Sequence, residues 1–272
     1  MKSNTLQLPG VDLYYEVRGS GPVLLMIPGG PVDGGVFTGL AELLADRYTV
    51  VTYDPRGISR SVVAGEPQDQ DLDVHADDAR RLIESFGPEP AYVFGSSGGG
   101  TIGLALAARF PGHVRTMIVH EPPVVTLLPD ADHHLAQMLT VVEAWEQGGW
   151  GAGMQRFGEV IGIPPQQQDG PPPTPEQQAA FGRMMGNFDF FLGRGIKPIS
   201  GYVPDVEALK SSDIVVGIGA TSEGQLAYRT GVVLAELLGT EPVVFPGDHG
   251  GYAASPAESA ELMHRSFASR AM

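Results

Sequence analysis

The chain contains no cysteine, which rules out disulfides, thiolate metal centres and a cysteine nucleophile together. Positive charge is scarce: 17 Lys and Arg stand against 32 Asp and Glu, a formal net charge of −15 with a pI near 4.7. So acidic a surface repels phosphate backbones and anionic headgroups, and the sequence predicts neither a nucleic-acid nor a membrane partner. No apolar run approaches the length of a bilayer span. The opening residues Met1-Lys2-Ser3-Asn4-Thr5 lack the apolar core of a secretory leader, which predicts a cytosolic protein. No internal repeat is apparent, and homodimerisation is left open.

What is present is alternation. Mostly apolar runs at 23–27, 48–53, 91–94, 114–120, 214–218 and 242–245, the first of them continuous, read as strands covered on both faces. Between them apolar residues recur at helical spacing: Phe37, Leu40, Leu43 and Leu44; Val74, Ala79, Leu82, Ile83 and Phe86; Leu226, Leu234, Leu237 and Leu238. Segments 5–8 and 12–17 flank Pro9-Gly10 as an edge hairpin. Ser255-Pro256-Ala257-Glu258 reads as a capping box opening a last helix. This order predicts an α/β protein, an eight-stranded, mostly parallel sheet covered by helices on both faces.

Residues 1–125 and 201–272 would form that core. Residues 126–200 break the alternation and read as a helical lid inserted after the sixth strand. Leu135, Met138, Leu139, Val142 and Trp145 share helical spacing there, Gly148 to Gly153 interrupts it, and 166–178 is a polar, Pro-rich loop. Rich in Met, Phe and Trp but poor in a core of its own, the lid is expected to wall an apolar pocket. Trp145, Met154, Met184, Phe188 and Phe191 are its candidate lining; plain packing is the competing role for each.

The chemistry centres on Gly95-Ser96-Ser97-Gly98-Gly99, between the 91–94 strand and an Ala/Leu-rich helical stretch. Strand, G-x-S-x-G, helix is the context of a nucleophile elbow with Ser97 at its tip; a phosphate-binding Gly-Ser loop is the alternative. A serine hydroxyl needs a base, a group that orients the base, and donors for the oxyanion. His249, in the glycine-rich loop after the last strand, is the candidate base. His75 and His264 lie in surface-helix patterns, His113 follows a helix stop, and His133-His134 sit in the lid without a carboxylate grouping that would suggest a metal. His120, at a strand end, is the one rival. For the acid, the usual loop after the seventh strand offers Thr221 and Ser222 where Asp is common, with Glu223 one step further on. Glu121, at the end of the sixth strand, needs no displacement to reach a histidine loop across the sheet top and is preferred, with Glu223 the alternative.

Together Pro28-Gly29-Gly30, Asp54 to Ser61, Gly95 to Gly99 and Pro246-Gly247-Asp248-His249 make the chain resemble α/β-hydrolase-fold serine hydrolases over its full length. Within them it is most similar to the fungal zearalenone lactonases, which share a G-x-S-R-S segment like Gly57 to Ser61 and a His-Glu-x-Pro segment like His120 to Pro123. In those enzymes the glutamate at the latter place is the triad acid, which implies that role for Glu121. The resemblance also implies an oxyanion hole from the N–H groups of Gly98 and Gly30, with Gly29 the alternative to Gly30. Pro31 has no N–H to give.

The expectation is then a serine hydrolase that cleaves a small-molecule carboxylic ester or lactone, with an apolar substrate, and needs no metal or cofactor. A cofactor-free perhydrolase of the haloperoxidase type, or a ligand-binding protein on a hydrolase scaffold, are the alternatives. An epoxide hydrolase or haloalkane dehalogenase would need Asp at position 97.

Overall fold

The computed structural model describes residues 1–163 and 175–269. The hairpin of β1 (Lys2–Leu8) and β2 (Val11–Arg18) turns at Gly10, whose φ of 76° suits glycine. The remaining strands are β3 (Val23–Ile27), β4 (Thr49–Tyr53), β5 (Val62–Val63), β6 (Ala91–Ser96), β7 (Val114–His120), β8 (Ile214–Gly219) and β9 (Val243–Phe245). In space they run β1-β2-β4-β3-β6-β7-β8-β9. Pairing is antiparallel from β1 to β4 and parallel from β4 to β9.

The described residues thus hold nine strands rather than eight. The extra one, β5, is two residues long and pairs only with Val11 and Asp12, too short to leave any periodicity in the sequence. It moves the lid to a position after the seventh strand in chain order, without altering which strands flank it.

Helices cover both faces, as apolar runs without alternation require. On one face, α1 (Thr38–Leu44) packs Leu40, Ala41 and Leu44 beside Leu24, Met26, Val50 and Phe94. On the other, α2 (Leu72–Glu84) and α3 (Gly98–Arg109) bury Leu82, Ile83, Leu104 and Leu106 beside Leu25, Ile27 and Val93. Leu43 and Val74, expected on apolar faces, are exposed.

Between β7 and β8 stand α4 (Ala131–Ile161), α5 (Pro175–Phe190), a π-helical turn (Phe191–Gly195) and α6 (Ile196–Ser200). The expected Gly148–Gly153 break is a kink at Gly149 (φ 74°, ψ −176°), after which α4 resumes. Of the Pro-rich stretch at 166–178, residues up to 174 lie outside the described residues, and the remainder opens α5. The lid does have an apolar cluster, built on Met138, Val141, Val142, Phe191, Leu192 and Ile196. It is completed by Leu226 of the sheet domain.

The chain closes with α7 (Val206–Leu209), α8 (Leu226–Leu238), α9 (Gly251–Ala254) and α10 (Pro256–Ala268). Pro256 begins α10 as expected, but Ser255 makes no side-chain cap, so the capping box is not formed. Among the described residues no helix is long and apolar enough to cross a membrane.

Candidate active site

The turn between β6 and α3 puts Ser97 at φ 55° and ψ −130°, a conformation that costs a side-chain-bearing residue free energy. The surroundings hold it there. A Cβ on Gly95 would lie 2.6 Å from Gly99 O, and one on Gly99 only 2.1 Å from Ile27 O, so both positions must be bare. Ser97 N donates to His120 O at 2.9 Å, tying the elbow to β7. Helix α3 starts at the next residue, so its unpaired N–H groups and positive end lie at the Ser97 side chain.

Strand β7 ends one residue before Glu121, which turns through φ 44° and is fully buried. Its backbone N–H donates to Gly217 O at 3.0 Å. Its Oε1 accepts from Gly219 N at 2.8 Å, and its Oε2 lies 2.6 Å from His249 Nδ1. Burial alone would raise the Glu121 carboxyl. The bonds from His249 and from the Gly219 amide outweigh it and hold the group below the usual carboxylate range. An ionised Glu121 makes Nδ1 the protonated nitrogen of a neutral His249, leaving Nε2 with a free lone pair. Glu223, the alternative acid, is exposed in the loop before α8. Asp248 turns back to accept from Gly250 N at 2.9 Å.

Ser97 and His249 open onto the same cavity, of about 300 Å³ and mostly apolar walls. Gly30 and Gly98 line it too, and a Cβ on Gly98 would stand 3.4 Å from Gly30 N, so the two amides are neighbours beside Ser97. Of the five lid residues expected to line it, only Phe191 does. Phe188 packs at a tilt on Trp150, ring centroids 5.2 Å apart, while Met154 and Met184 pack in the lid's own cluster. Trp145 donates to Asp189 and sits over Gly193. The lid wall is instead Met138, Phe157, Ile161, Ile196 and Ile199, joined by Gln225 and Leu226 of the sheet domain. Spacing marks which lid residues are apolar, but the angle at which helices cross the sheet decides which face meets the cavity.

The other histidines do not line this cavity. His120 is buried under the site against Phe245 and Tyr252, its Nδ1 3.3 Å from Ser96 Oγ, and burial lowers it to about 3. His75, expected on a surface face, is buried, because α2 turns that side toward the Arg56–Asp78 ion pair. His113 contacts Glu84, His134 contacts Asp130, and His264 stacks on Tyr48.

A family model for the alpha/beta hydrolase fold matches residues 22–148. The uncharacterized hydrolase YraK of Bacillus subtilis (strain 168) is 39% identical over 97% of this chain and 95% of its own. A zearalenone hydrolase of Bionectria ochroleuca is 24% identical over 93% of each. The solved structure of a thermophilic esterase from Thermogutta terrifontis superposes with a TM-score of 0.74 over the whole of both chains, at 16% identity, a likeness of fold. The chain belongs to the α/β-hydrolase family and is a hydrolase of that fold.

Proposed function

We propose that the protein is a serine hydrolase that cleaves a carboxylic ester or lactone of apolar character through an acyl-enzyme. The observation that carries this reading is a single cavity lined by both Ser97 and His249, with the far ring nitrogen of His249 bonded at 2.6 Å to buried Glu121. Ser97 Oγ attacks the carbonyl as its proton passes to His249 Nε2, and Glu121 stabilises the imidazolium that forms. The N–H groups of Gly30 and Gly98 hold the tetrahedral oxyanion. The alkoxide leaves with the proton from Nε2; water, deprotonated by the same nitrogen, then releases the acid and restores Ser97. Apolar walls favour an apolar acyl or alcohol group. Relatedness to a zearalenone hydrolase and likeness of fold to an esterase agree with an ester or lactone bond as the target.

The test is Ser97→Ala assayed on p-nitrophenyl acetate, beside labelling of the unaltered enzyme with a fluorophosphonate and mapping of the modified peptide. The proposal expects turnover to vanish and the label to sit on Ser97. Retained turnover, or label elsewhere, sinks it. Ligands that raise the melting temperature but are never turned over would point to a binding protein instead.

A further inference from the structure

The Gly57–Ser61 segment has no part in the chemistry above, yet it meets the cavity loop, directly where Arg60 Nη2 lies 3.8 Å from Asp33 Oδ1 and also through a lid side chain. The loop after β3 carries Gly30, with φ 61° and no atom within 4 Å of where its Cβ would be. Packing therefore does not fix this peptide on the cavity side, and its orientation comes from its neighbours. Upstream, Gly29 is pressed on the elbow: a Cβ there would stand 2.5 Å from both Gly98 N and Ser96 O. Downstream, the hold comes from helix α5.

Asn187, only 5% exposed, uses its whole amide for that purpose. Nδ2 donates to Pro31 O at 2.8 Å and to Ser59 Oγ at 2.9 Å, while Oδ1 accepts from Ser59 N at 2.9 Å. Ser59 presents both groups from a left-handed backbone, φ 47°. One helical turn earlier, Arg183 Nε donates to Asp33 Oδ2 at 2.5 Å, so the same face of α5 grips the loop twice. Asp54 Oδ1 accepts from Gly34 N at 3.1 Å from below, and Arg60 is bonded to the same carboxylate. The loop between Gly30 and Gly35 is thus held between the Asp54–Ser61 segment and α5, with Asn187 hydrogen-bonded to both Pro31 and Ser59.

We infer that Asn187 is a positioning residue for the reaction: its bridge from Ser59 to Pro31 O sets the direction of the Gly30 N–H, and so assembles the oxyanion hole from the lid side. The inference rests on the reading of Gly30 as an oxyanion donor. A residue that merely glues the lid down would affect thermal stability or substrate binding. A residue that aims an oxyanion donor acts on the tetrahedral state, where a misdirected N–H is felt most.

The variant that separates these is Asn187→Asp. It keeps the size and the acceptor facing Ser59 N, but a carboxylate cannot donate to Pro31 O. With p-nitrophenyl butyrate, kcat is expected to fall about 10- to 100-fold, as for a displaced catalytic group. KM should stay within about 2-fold, the pattern of a contact made only in the transition state. A propyl trifluoromethyl ketone, which adds Ser97 Oγ to its carbonyl and leaves an oxyanion, should lose affinity by the same factor as kcat. The corresponding secondary alcohol, which forms no oxyanion, should bind as before. Asn187→Ala goes through the same series, so that poor folding of one variant leaves the other to decide. An unchanged kcat, or a loss confined to KM and melting temperature, overturns the role. If Ser97→Ala is inert while the Asn187 variants behave normally, only this inference fails; if Ser97→Ala keeps full turnover, the hydrolase reading fails and takes it along.

Discussion

Glu121 and His249 are 128 residues apart in sequence, and their side chains meet at 2.6 Å. The parallel sheet brings this about. Strands β7, β8 and β9 are neighbours that end at one edge, and Gly219, last residue of β8, donates to the other Glu121 oxygen at 2.8 Å. The carboxylate is thereby fixed on the side of β8 that faces the His249 loop, and Glu223 in the loop after β8 stays exposed.

Glu121→Gln keeps the shape but loses the charge that fixes the tautomer of His249. We expect kcat on p-nitrophenyl butyrate to drop by about 10²- to 10⁴-fold, the upper end being that of the equivalent change in a Ser-His-Asp enzyme. Glu223→Gln should leave kcat within about 2-fold, as ordinary surface changes do. The reverse ranking would hand the acid role to the loop after β8.

Two glycines of the elbow helix and its following turn should respond oppositely to a methyl group. A Cβ on Gly99 would stand 2.1 Å from Ile27 O, a backbone atom that cannot step aside, whereas one on Gly112 meets nothing within 4 Å. Gly99→Ala is expected to destabilise by about 3 kcal/mol or more, at the upper end of overpacking effects. Gly112→Ala should be within about 0.5 kcal/mol of the parent. Urea unfolding measures both, and equal midpoints would contradict the close approach of β3 and α3.

Acid should unfold the protein from about pH 6 downward. Burial lowers His75 to about 4 and His120 to about 3, from an ordinary value near 6.5. In that window the unfolded chain binds protons that the folded chain refuses, so stability rises with pH and is lost as pH falls. Each ring contributes a slope approaching about 1.4 kcal/mol per pH unit. Neither ring nitrogen of His75 has a hydrogen-bond partner among the described residues, so His75→Leu should flatten the dependence between pH 6 and 4. Urea midpoints at successive pH values measure it; an unchanged profile in the variant would place the acid sensitivity elsewhere.

The cavity predicts a dependence on acyl length. Each methylene that enters apolar walls is worth about 0.8 kcal/mol, so kcat/KM for p-nitrophenyl esters should climb roughly fourfold per carbon from acetate until the cavity is filled. Ile199→Ala should extend the rise to longer chains, since Ile199 lines the wall beside Gly98. A flat series would mean that the acyl group does not enter this space.

The sequence by itself determined the layered sheet, because near-continuous apolar runs at β3, β6 and β8 can only be buried on both faces. It also placed Ser97 at a strand–helix turn, since Gly95 and Gly99 record contacts so close that no side chain fits. The pattern that marks them is local, a run of neighbouring residues, even where the contact it serves, such as Gly99 on Ile27, is not. What tertiary structure alone decided is which distant groups meet. The burial of His75, the single lid residue Phe191 among the five expected in the cavity, and the clasp of Asn187 on Pro31 and Ser59 all depend on how helices cross the sheet. No spacing in the chain encodes that angle; it is set by side chains packing against partners more than a hundred residues away.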